Sequence, residues 1–286
     1  MITMTLVATV LLAVVVGVTL GLLGGGGSIL MVPLLVYVAG METKEAIATS
    51  LVVVGVTAVV GVVGHARGSR VRWRTGLLFG VAGMVGAFAG GLVGGHLPGQ
   101  LLLVGFALMM LATAAAMLRG RRAVSGEAHR ELPVGRVLVD GAVVGLVTGL
   151  VGAGGGFLVV PALALLGGLP MAVAVGTSLL VISMKSFAGL AGYLSSVQID
   201  WAVTGAVTAA AVVGALVGGR LVSRVSADAL RQSFGWFVLA MGTFVLLQQL
   251  PGDLRGPALL VAATVGAGMG ACATFNARCP LRHVAA

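Results

Sequence analysis

The chain has 286 residues, of which 59% are hydrophobic and only 9% are charged. Soluble domains carry about 25% charged residues, so this composition excludes a soluble fold, and the hydrophobicity excludes a disordered chain. The net charge is +9, because 17 Lys and Arg residues outnumber 8 Asp and Glu residues. The basic residues lie in short gaps between apolar runs, which is typical of a multi-pass membrane protein and not of a nucleic-acid-binding protein.

Apolar segments that are long enough to cross a membrane recur along the whole chain. They lie at 6–38, 46–64, 76–95, 100–118, 137–168, 173–194, 202–219, 229–249 and 257–275. We therefore predict an all-α polytopic membrane protein. Its predicted parts are a first transmembrane repeat, a basic cytoplasmic linker, a second transmembrane repeat, and an extra C-terminal transmembrane helix with a tail, at 1–118, 119–136, 137–249 and 250–286.

The two halves of the chain are copies of each other. GLLGGGGSILMVPLL, which starts at Gly21, aligns without a gap with GLVGAGGGFLVVPAL, which starts at Gly149. This offset of 128 residues (149 − 21) also aligns Pro33 with Pro161, Thr49-Ser50-Leu51 with Thr177-Ser178-Leu179, and Trp73 with Trp201. A register that preserves these residues indicates an internal duplication.

The first segment of each half is too long for one crossing. Segments 6–38 and 137–168 would run about 50 Å as continuous helices, whereas the hydrocarbon core is about 30 Å thick. Each contains a glycine cluster near its middle, with a proline five or six residues beyond it. Each half is therefore expected to open with a glycine-broken helix pair, which is either one crossing plus a half-helix or a re-entrant hairpin.

The distribution of charge favours the hairpin. If 137–168 returns to its own side, the second half is inverted relative to the first. The basic gaps at 65–74, 119–136, 220–231 and 278–282 then all lie inside, as the positive-inside rule requires. We therefore predict two inverted repeats, with the linker and the C-terminus in the cytoplasm. The first five residues carry no charged side chain, so the side of the N-terminus stays open.

The glycine clusters are the main candidate binding elements. Breaks at matching places in two halves are typical of transporter sites, and the free N–H groups of the helix that follows a break attract anions. The alternative is that the glycines only allow close helix packing, which we favour for the scattered Gly86 and Gly90. The cluster residues predicted to bind substrate are Gly24, Gly25, Gly26, Gly27, Ser28, Gly152, Gly154, Gly155 and Gly156.

Three further features point to an anion. The pairs Thr49-Ser50 and Thr177-Ser178 are repeated, and their hydroxyl groups would hydrogen-bond an oxyanion, unless they bond their own helix carbonyls. Lys185 is the only charge well inside a predicted span, and such residues usually face a cavity or the bundle interior. The alternative for Lys185 is that it extends towards the segment end near Ser195.

The sequence contains little that would support catalysis. It has no paired intramembrane carboxylates, and Gly24–Gly27 is not a phosphate-binding loop because no Gly-Lys-Ser/Thr follows. Cys272 and Cys279 belong to no metal-binding cluster. We therefore expect no enzyme activity, no cofactor and no metal. The expected partners are a small anion and the lipid bilayer, with no nucleic acid, and a homodimer is one option for the oligomeric state.

The duplicated pattern resembles the two signature repeats of the sulfite exporter TauE/SafE family. The residues that carry the resemblance are GLLGGGGSILMVPLL with ATSL and GLVGAGGGFLVVPAL with GTSL. The resemblance implies a bacterial inner-membrane permease that exports sulfite, sulfoacetate or a related anion. It would place both glycine clusters and both Thr-Ser pairs at the centre of the molecule. Lys185 lies outside the matched motif, so its role rests on physical argument alone.

The predicted function is export of a small anion such as sulfite or an organosulfonate. The expected mechanism is alternating access at a site between the two repeats. An anion-selective channel and a carrier of a small carboxylate are the alternatives.

Overall fold

The computed structural model describes residues 2–23, 26–118, 134–152, 159, 163, 171–221 and 227–250. All secondary-structure elements in these ranges are helices, which confirms the predicted all-α fold. They are α1 (Ile2–Leu23), a 3-10 helix (Gly26–Leu30), α2 (Met31–Tyr37), α3 (Thr43–Arg67), α4 (Trp73–His96), α5 (Gly99–Leu118), α6 (Val134–Val151), α7 (Met171–Tyr193), α8 (Trp201–Leu221) and α9 (Ala227–Gln248).

Within the described residues, five helices are long and apolar enough to cross a membrane. These spans are Met4–Leu22, Thr43–Arg67, Trp73–His96, Val173–Tyr193 and Trp201–Leu221. Shorter apolar helices lie at Gly27–Tyr37, Gly99–Ala115, Leu138–Val151 and Gly235–Gln248. The long segment predicted at 6–38 is divided between α1 and the helices that begin at Gly26. The segment predicted at 257–275 lies outside the described residues.

Local sequence signals explain several helix ends. Asp200 precedes α8, and its Oδ1 accepts hydrogen bonds from the backbone N–H groups of Ala202 (2.9 Å) and Val203 (3.2 Å), as an acidic N-cap does. Trp73 and Trp201 begin α4 and α8, and their side chains are 51% and 60% exposed. Tryptophan is common at the ends of membrane spans, where its amphipathic ring contacts the polar interface.

Helices of the two halves lie at equivalent positions. Trp73 and Trp201, which begin α4 and α8, are 128 residues apart (201 − 73). α7 and α9, as far as they are described, likewise cover the positions 128 residues after α3 and α5. This is the offset of the sequence alignment, so the duplication includes the shared start of α4 and α8.

The chain forms two compact units, and each unit takes helices from both halves of the sequence. The first unit contains α1–α4 and α6–α8, and the second contains α9 and α5 from Leu103 onward. In the second unit, a Cβ added at Gly242 of α9 would lie 2.9 Å from Cβ of Met110 in α5. Glycine at this position therefore lets the two helices approach closely.

Glycines pack four helices of the first unit in two equivalent pairs. α4 packs against α6, and α1 packs against α8. At the contacts, a Cβ in place of a glycine hydrogen would collide with a backbone carbonyl of the facing helix. The colliding pairs are Gly86 with Ala142 and Gly90 with Leu146, and likewise Gly214 with Val14 and Gly218 with Val18. The first two contacts are equivalent to the last two under the 128-residue offset. Gly86 and Gly90 therefore allow close helix packing, as the sequence predicts.

The equivalent helices α3 and α7 run antiparallel. Gly61, late in α3, meets Leu179, early in α7, whereas Leu51, early in α3, meets Gly189, late in α7. Position 61 is equivalent to position 189 (61 + 128), and position 51 is equivalent to position 179 (51 + 128). Each of the two contacts therefore becomes the other when the two repeats are exchanged. The copy of α3 in the second half thus points in the opposite direction to α3.

α6 and α7 both run parallel to α4. The contacts that establish this are Gly141 with Phe79 and Gly149 with Ala87 for α6, and Met184 with Gly80 and Tyr193 with Gly94 for α7. α6 and α7 therefore point in the same direction, although they follow each other along the chain.

Candidate functional site

Gly152 ends α6 and begins the second glycine cluster. Its N–H donates a 3.0 Å hydrogen bond to the carbonyl oxygen of Thr148, and its φ is +71°, which is the pattern of a left-handed helix C-cap. A Cβ at this position would lie 3.0 Å from both Cα and Cβ of Ile47 in α3. Both the backbone conformation and the close contact therefore require glycine.

Ser50 connects the first Thr-Ser pair to this cluster. It is fully buried, and its hydroxyl donates towards the carbonyl oxygens of Gly152 (2.6 Å) and Ile47 (2.8 Å). The neighbouring hydroxyl of Thr49 lies 3.3 Å from that of Thr204 in α8. The Thr-Ser pair of the first half is thus in contact with the glycine cluster of the second half.

The first glycine cluster lies against α1. A Cβ added at Gly27 would lie 2.8 Å from Cα of Leu20. Gly26 begins the 3-10 helix, and the side chains from Ser28 to Leu35 are buried. The helix that follows the break therefore lies in the protein interior. Five residues predicted for the site lie outside the described residues, namely Gly24, Gly25, Gly154, Gly155 and Gly156.

The second Thr-Ser pair lies near the start of α7 and is also buried. The backbone N–H of Arg72, in the loop between α3 and α4, donates a 3.0 Å hydrogen bond to Oγ1 of Thr177. The hydroxyl of Ser178 donates to the carbonyl oxygen of Val175 at 2.7 Å. We call this end of the first unit, where α3 finishes in Arg67 and the loop carries Arg70 and Arg72, the basic end.

The structure does not bring the two Thr-Ser pairs together. Leu51, which follows Ser50, meets Gly189, and Leu179, which follows Ser178, meets Gly61. Ten residues of α7 separate the two contacts (189 − 179), a distance of about 15 Å along a helix. The pairs therefore lie towards opposite ends of the antiparallel helices α3 and α7.

Lys185 lies on α7 between these two ends and is 1% exposed. Its Nζ donates a 3.3 Å hydrogen bond to Oγ1 of Thr148 in α6. No carboxylate in the described part of the chain forms an ion pair with it. A Cβ added at Gly83 of α4 would lie 2.6 Å from Cδ of Lys185. The lysine therefore crosses α4 in the space that Gly83 leaves, and it does not extend to the segment end.

Sequence reasoning missed three residues of this region. Thr148 accepts a hydrogen bond from Lys185, and the absence of a side chain at Gly83 leaves space for the lysine side chain. Ser186 has a buried Oγ with no hydrogen-bond partner in the described chain. Thr148 and Ser186 are polar residues within apolar helices, which is a weak signal. The contact between Thr148 and Lys185 joins residues that are 37 positions apart, and no local pattern predicts it.

Comparison with known proteins identifies the family. The sulfite exporter TauE/SafE family matches residues 9–245. A probable membrane transporter protein of Xylella fastidiosa is 35% identical over 248 residues, which cover 85% of this chain and 95% of that protein.

More distant relatives come from other lineages. A probable membrane transporter protein of Methanocaldococcus jannaschii is 29% identical over 65% of this chain and 72% of its own. The probable membrane transporter protein YunE of Bacillus subtilis is 29% identical over 69% of this chain and 81% of its own. No solved structure matches the chain.

The family match extends from α1 into α9 and therefore includes both halves of the duplication. Together with the long apolar helices, it identifies a multi-pass membrane transporter. The chain belongs to the sulfite exporter TauE/SafE family.

Proposed function

We propose that this transporter exports a small oxyanion, such as sulfite or an organosulfonate, across a bacterial inner membrane. Lys185 carries the proposal, because it is buried within a membrane-spanning helix without a carboxylate partner in the described chain. An isolated charge at this depth is costly. A bound anion would supply the missing opposite charge and so stabilise the cationic form of the lysine.

The helix directions support an inverted arrangement of the two halves in the membrane. α3 and α7 are equivalent but antiparallel, and α6 and α7 point the same way, as they would if 137–168 were a hairpin. With this topology, the basic gap 65–74 and the linker 119–136 lie on one side. The positive-inside rule makes that side the cytoplasm and places the C-terminus there as well.

The glycine clusters and the Thr-Ser pairs are proposed to bind the anion on either side of Lys185. Gly24–Ser28 with Thr177 and Ser178 would act at the basic end. Gly152 and Gly154–Gly156 with Thr49 and Ser50 would act at the other end. The observed contact between Ser50 and Gly152 supports this grouping. Hydroxyl and backbone N–H groups bind oxyanions without a formal charge of their own, so they would pass the anion to and from Lys185 without trapping it. The hydroxyls of Ser50 and Ser178 donate to backbone carbonyls in this structure and would have to turn from them to bind the anion.

Export by alternating access needs no coupling ion in this scheme. An inside-negative membrane potential drives an anion outwards by about 2.3 kcal/mol per charge per 100 mV. This driving force is sufficient for concentrative export of a monovalent anion.

The test is efflux from proteoliposomes that contain the purified protein and are loaded with sulfite, an organosulfonate or a short carboxylate. We expect saturable efflux of the sulfur oxyanions and stimulation by unlabelled anion on the opposite side. Single-channel currents would identify a channel instead. Preference for the carboxylate would change the substrate class, and failure to transport any of these anions would refute the proposal.

A further inference from the structure

Two equivalent pairs of helices in the first unit pack differently: one pair is in contact at both ends, and the other, within the described residues, is in contact at one end only. The α4–α7 seam is the line along which α4 and α7 pack, and the α8–α3 seam is its copy under the 128-residue offset. The two seams begin alike. A Cβ at Gly76 would lie 3.1 Å from Cγ2 of Thr177, and their equivalents, Thr204 and Thr49, have hydroxyl groups 3.3 Å apart.

The far ends of the two seams are different. In the α4–α7 seam, a Cβ at Gly91 would lie 3.2 Å from Cα of Gly192, and both glycines are buried. Their equivalents in the α8–α3 seam are Gly219 and Gly64 (91 + 128 and 192 − 128). Both are exposed, and no atom of the described chain lies within 4 Å of a Cβ built at either one. Identical residue pairs are therefore in contact at one end and apart at the other.

The residues that directly follow Gly192 and Gly64, which are Tyr193 and His65, also differ in burial. Tyr193 is fully buried against Gly94, and its hydroxyl donates a 2.5 Å hydrogen bond to the carbonyl oxygen of Leu150. Its equivalent is His65 (193 − 128), at the basic end. His65 is half-buried, and within the described chain its buried Nδ1 has no hydrogen-bond partner. Tyr193 thus seals the closed end, whereas His65 is only partly buried; the residue equivalent to Gly94, at position 222, lies outside the described residues.

We propose that the α4–α7 and α8–α3 seams are the two gates of the transporter, and that the structure is the state in which the basic end is open. In the opposite state, Gly219 packs on Gly64 as Gly91 now packs on Gly192, and the α4–α7 seam separates. The inference rests on the proposed alternating access and names the helices that perform it.

Lys185 is part of the closed gate. It crosses the α4–α7 seam beside Gly83, so separation of α4 from α7 exposes it to the end that carries Tyr193. In the present state, Lys185 is covered. Exchange between the two states therefore changes the access of the proposed anion-binding lysine.

Disulfide trapping tests the gates without knowledge of the substrate. In a background of Cys272→Ser and Cys279→Ser, the pair Gly64→Cys with Gly219→Cys is oxidised in membranes and assayed by gel mobility. We expect cross-linking, because the opposite state brings this pair into contact. Organosulfonate efflux should then fall about tenfold and return on reduction, since one state alone cannot complete the cycle; an organosulfonate is used because sulfite would cleave the disulfide.

Two control pairs make the result decisive. In Gly95→Cys with Ser196→Cys, the Cβ atoms would lie 3.1 Å apart in the present state, so this pair should cross-link readily. Gly64→Cys with Gly205→Cys joins the same α3 position to the opposite end of α8 and should not cross-link. If the 64/219 pair links no more than the 64/205 pair while the 95/196 pair links, the gate proposal is wrong. If the 64/219 pair links but no anion is transported, the proposed function fails and the gates stand.

A steric variant tests the same gate in another way. Gly219→Leu is compatible with the open α8–α3 seam, but the larger side chain would prevent the seam from closing. Gly205→Leu is the matched control on the same helix, because it too has no described atom within 4 Å and its repeat equivalent is the exposed Leu77. A Cβ at Gly192 would lie 2.6 Å from the carbonyl oxygen of Phe88, and the equivalents of these residues are Gly64 and Leu216 (192 − 128 and 88 + 128). We expect Gly219→Leu to keep its monodispersity and to lose about tenfold in cross-link yield between Gly64→Cys and Leu216→Cys, since the open state would dominate. Equal yields in the Gly219→Leu and Gly205→Leu backgrounds would overturn the proposal.

Discussion

The hydroxyl of Ser50 donates a 2.6 Å hydrogen bond to the carbonyl oxygen of Gly152, a residue 102 positions further along the chain. This bond joins the Thr-Ser pair of one repeat to the glycine cluster of the other. It satisfies the carbonyl group of the residue that directly follows α6. The two repeats are therefore interlocked through the residues that their duplication preserves.

Replacement of Ser50 by alanine should destabilise the protein. It leaves the buried carbonyl of Gly152 without this donor, which costs about 1–3 kcal/mol in the free energy of unfolding. The matched control is Ser183→Ala, which removes a buried hydroxyl that donates to Leu180 within its own helix. Chemical unfolding in mixed micelles measures both variants. Equal losses of stability would show that the bond to Gly152 has no special role.

Replacement of Gly152 by alanine should lower the free energy of unfolding in two ways, through backbone strain and through overlap with Ile47. The φ of +71° imposes about 1–2 kcal/mol on any residue with a Cβ, and overlap with Ile47 adds about 1–3 kcal/mol. Gly40 has the same φ of +71° but nothing within 4 Å of an added Cβ, so Gly40→Ala isolates the backbone cost. We expect Gly152→Ala to lose more unfolding free energy than Gly40→Ala. A loss that is equal in the two variants would contradict the packing against Ile47.

The predicted topology is tested by chemical labelling in intact cells. Gly68→Cys lies in the loop at the basic end, and Ser195→Cys lies in the loop after α7, at the opposite end. In a background without Cys272 and Cys279, an impermeant maleimide added outside should label the cysteine at 195 and not the one at 68. Permeabilisation should make both react. Labelling of both from one side would rule out the inverted arrangement.

Much of the fold could be predicted from the sequence, because hydropathy and the gap-free repeat mark the helices directly. The shared starts at Trp73 and Trp201 show how closely helix boundaries follow the duplication. The site was less predictable. Thr49-Ser50 and Thr177-Ser178 are equivalent in sequence, yet antiparallel packing of α3 and α7 separates them, and only tertiary contacts set that direction. The same limit applies to Thr148, whose contact with Lys185 depends on how α6 and α7 pack.

Sulfite efflux from proteoliposomes that contain Lys185→Met tests the central claim, that a buried lysine binds the transported anion. Lys44→Met is the control, because Lys44 donates a 2.9 Å hydrogen bond to the carbonyl oxygen of Gly95 at a helix end. We expect Lys185→Met to lower efflux by about tenfold or more, since loss of a buried charge pair costs several kcal/mol. Lys44→Met should retain most of the activity. Efflux by Lys185→Met with the rate and concentration dependence of the unmodified protein would contradict the account.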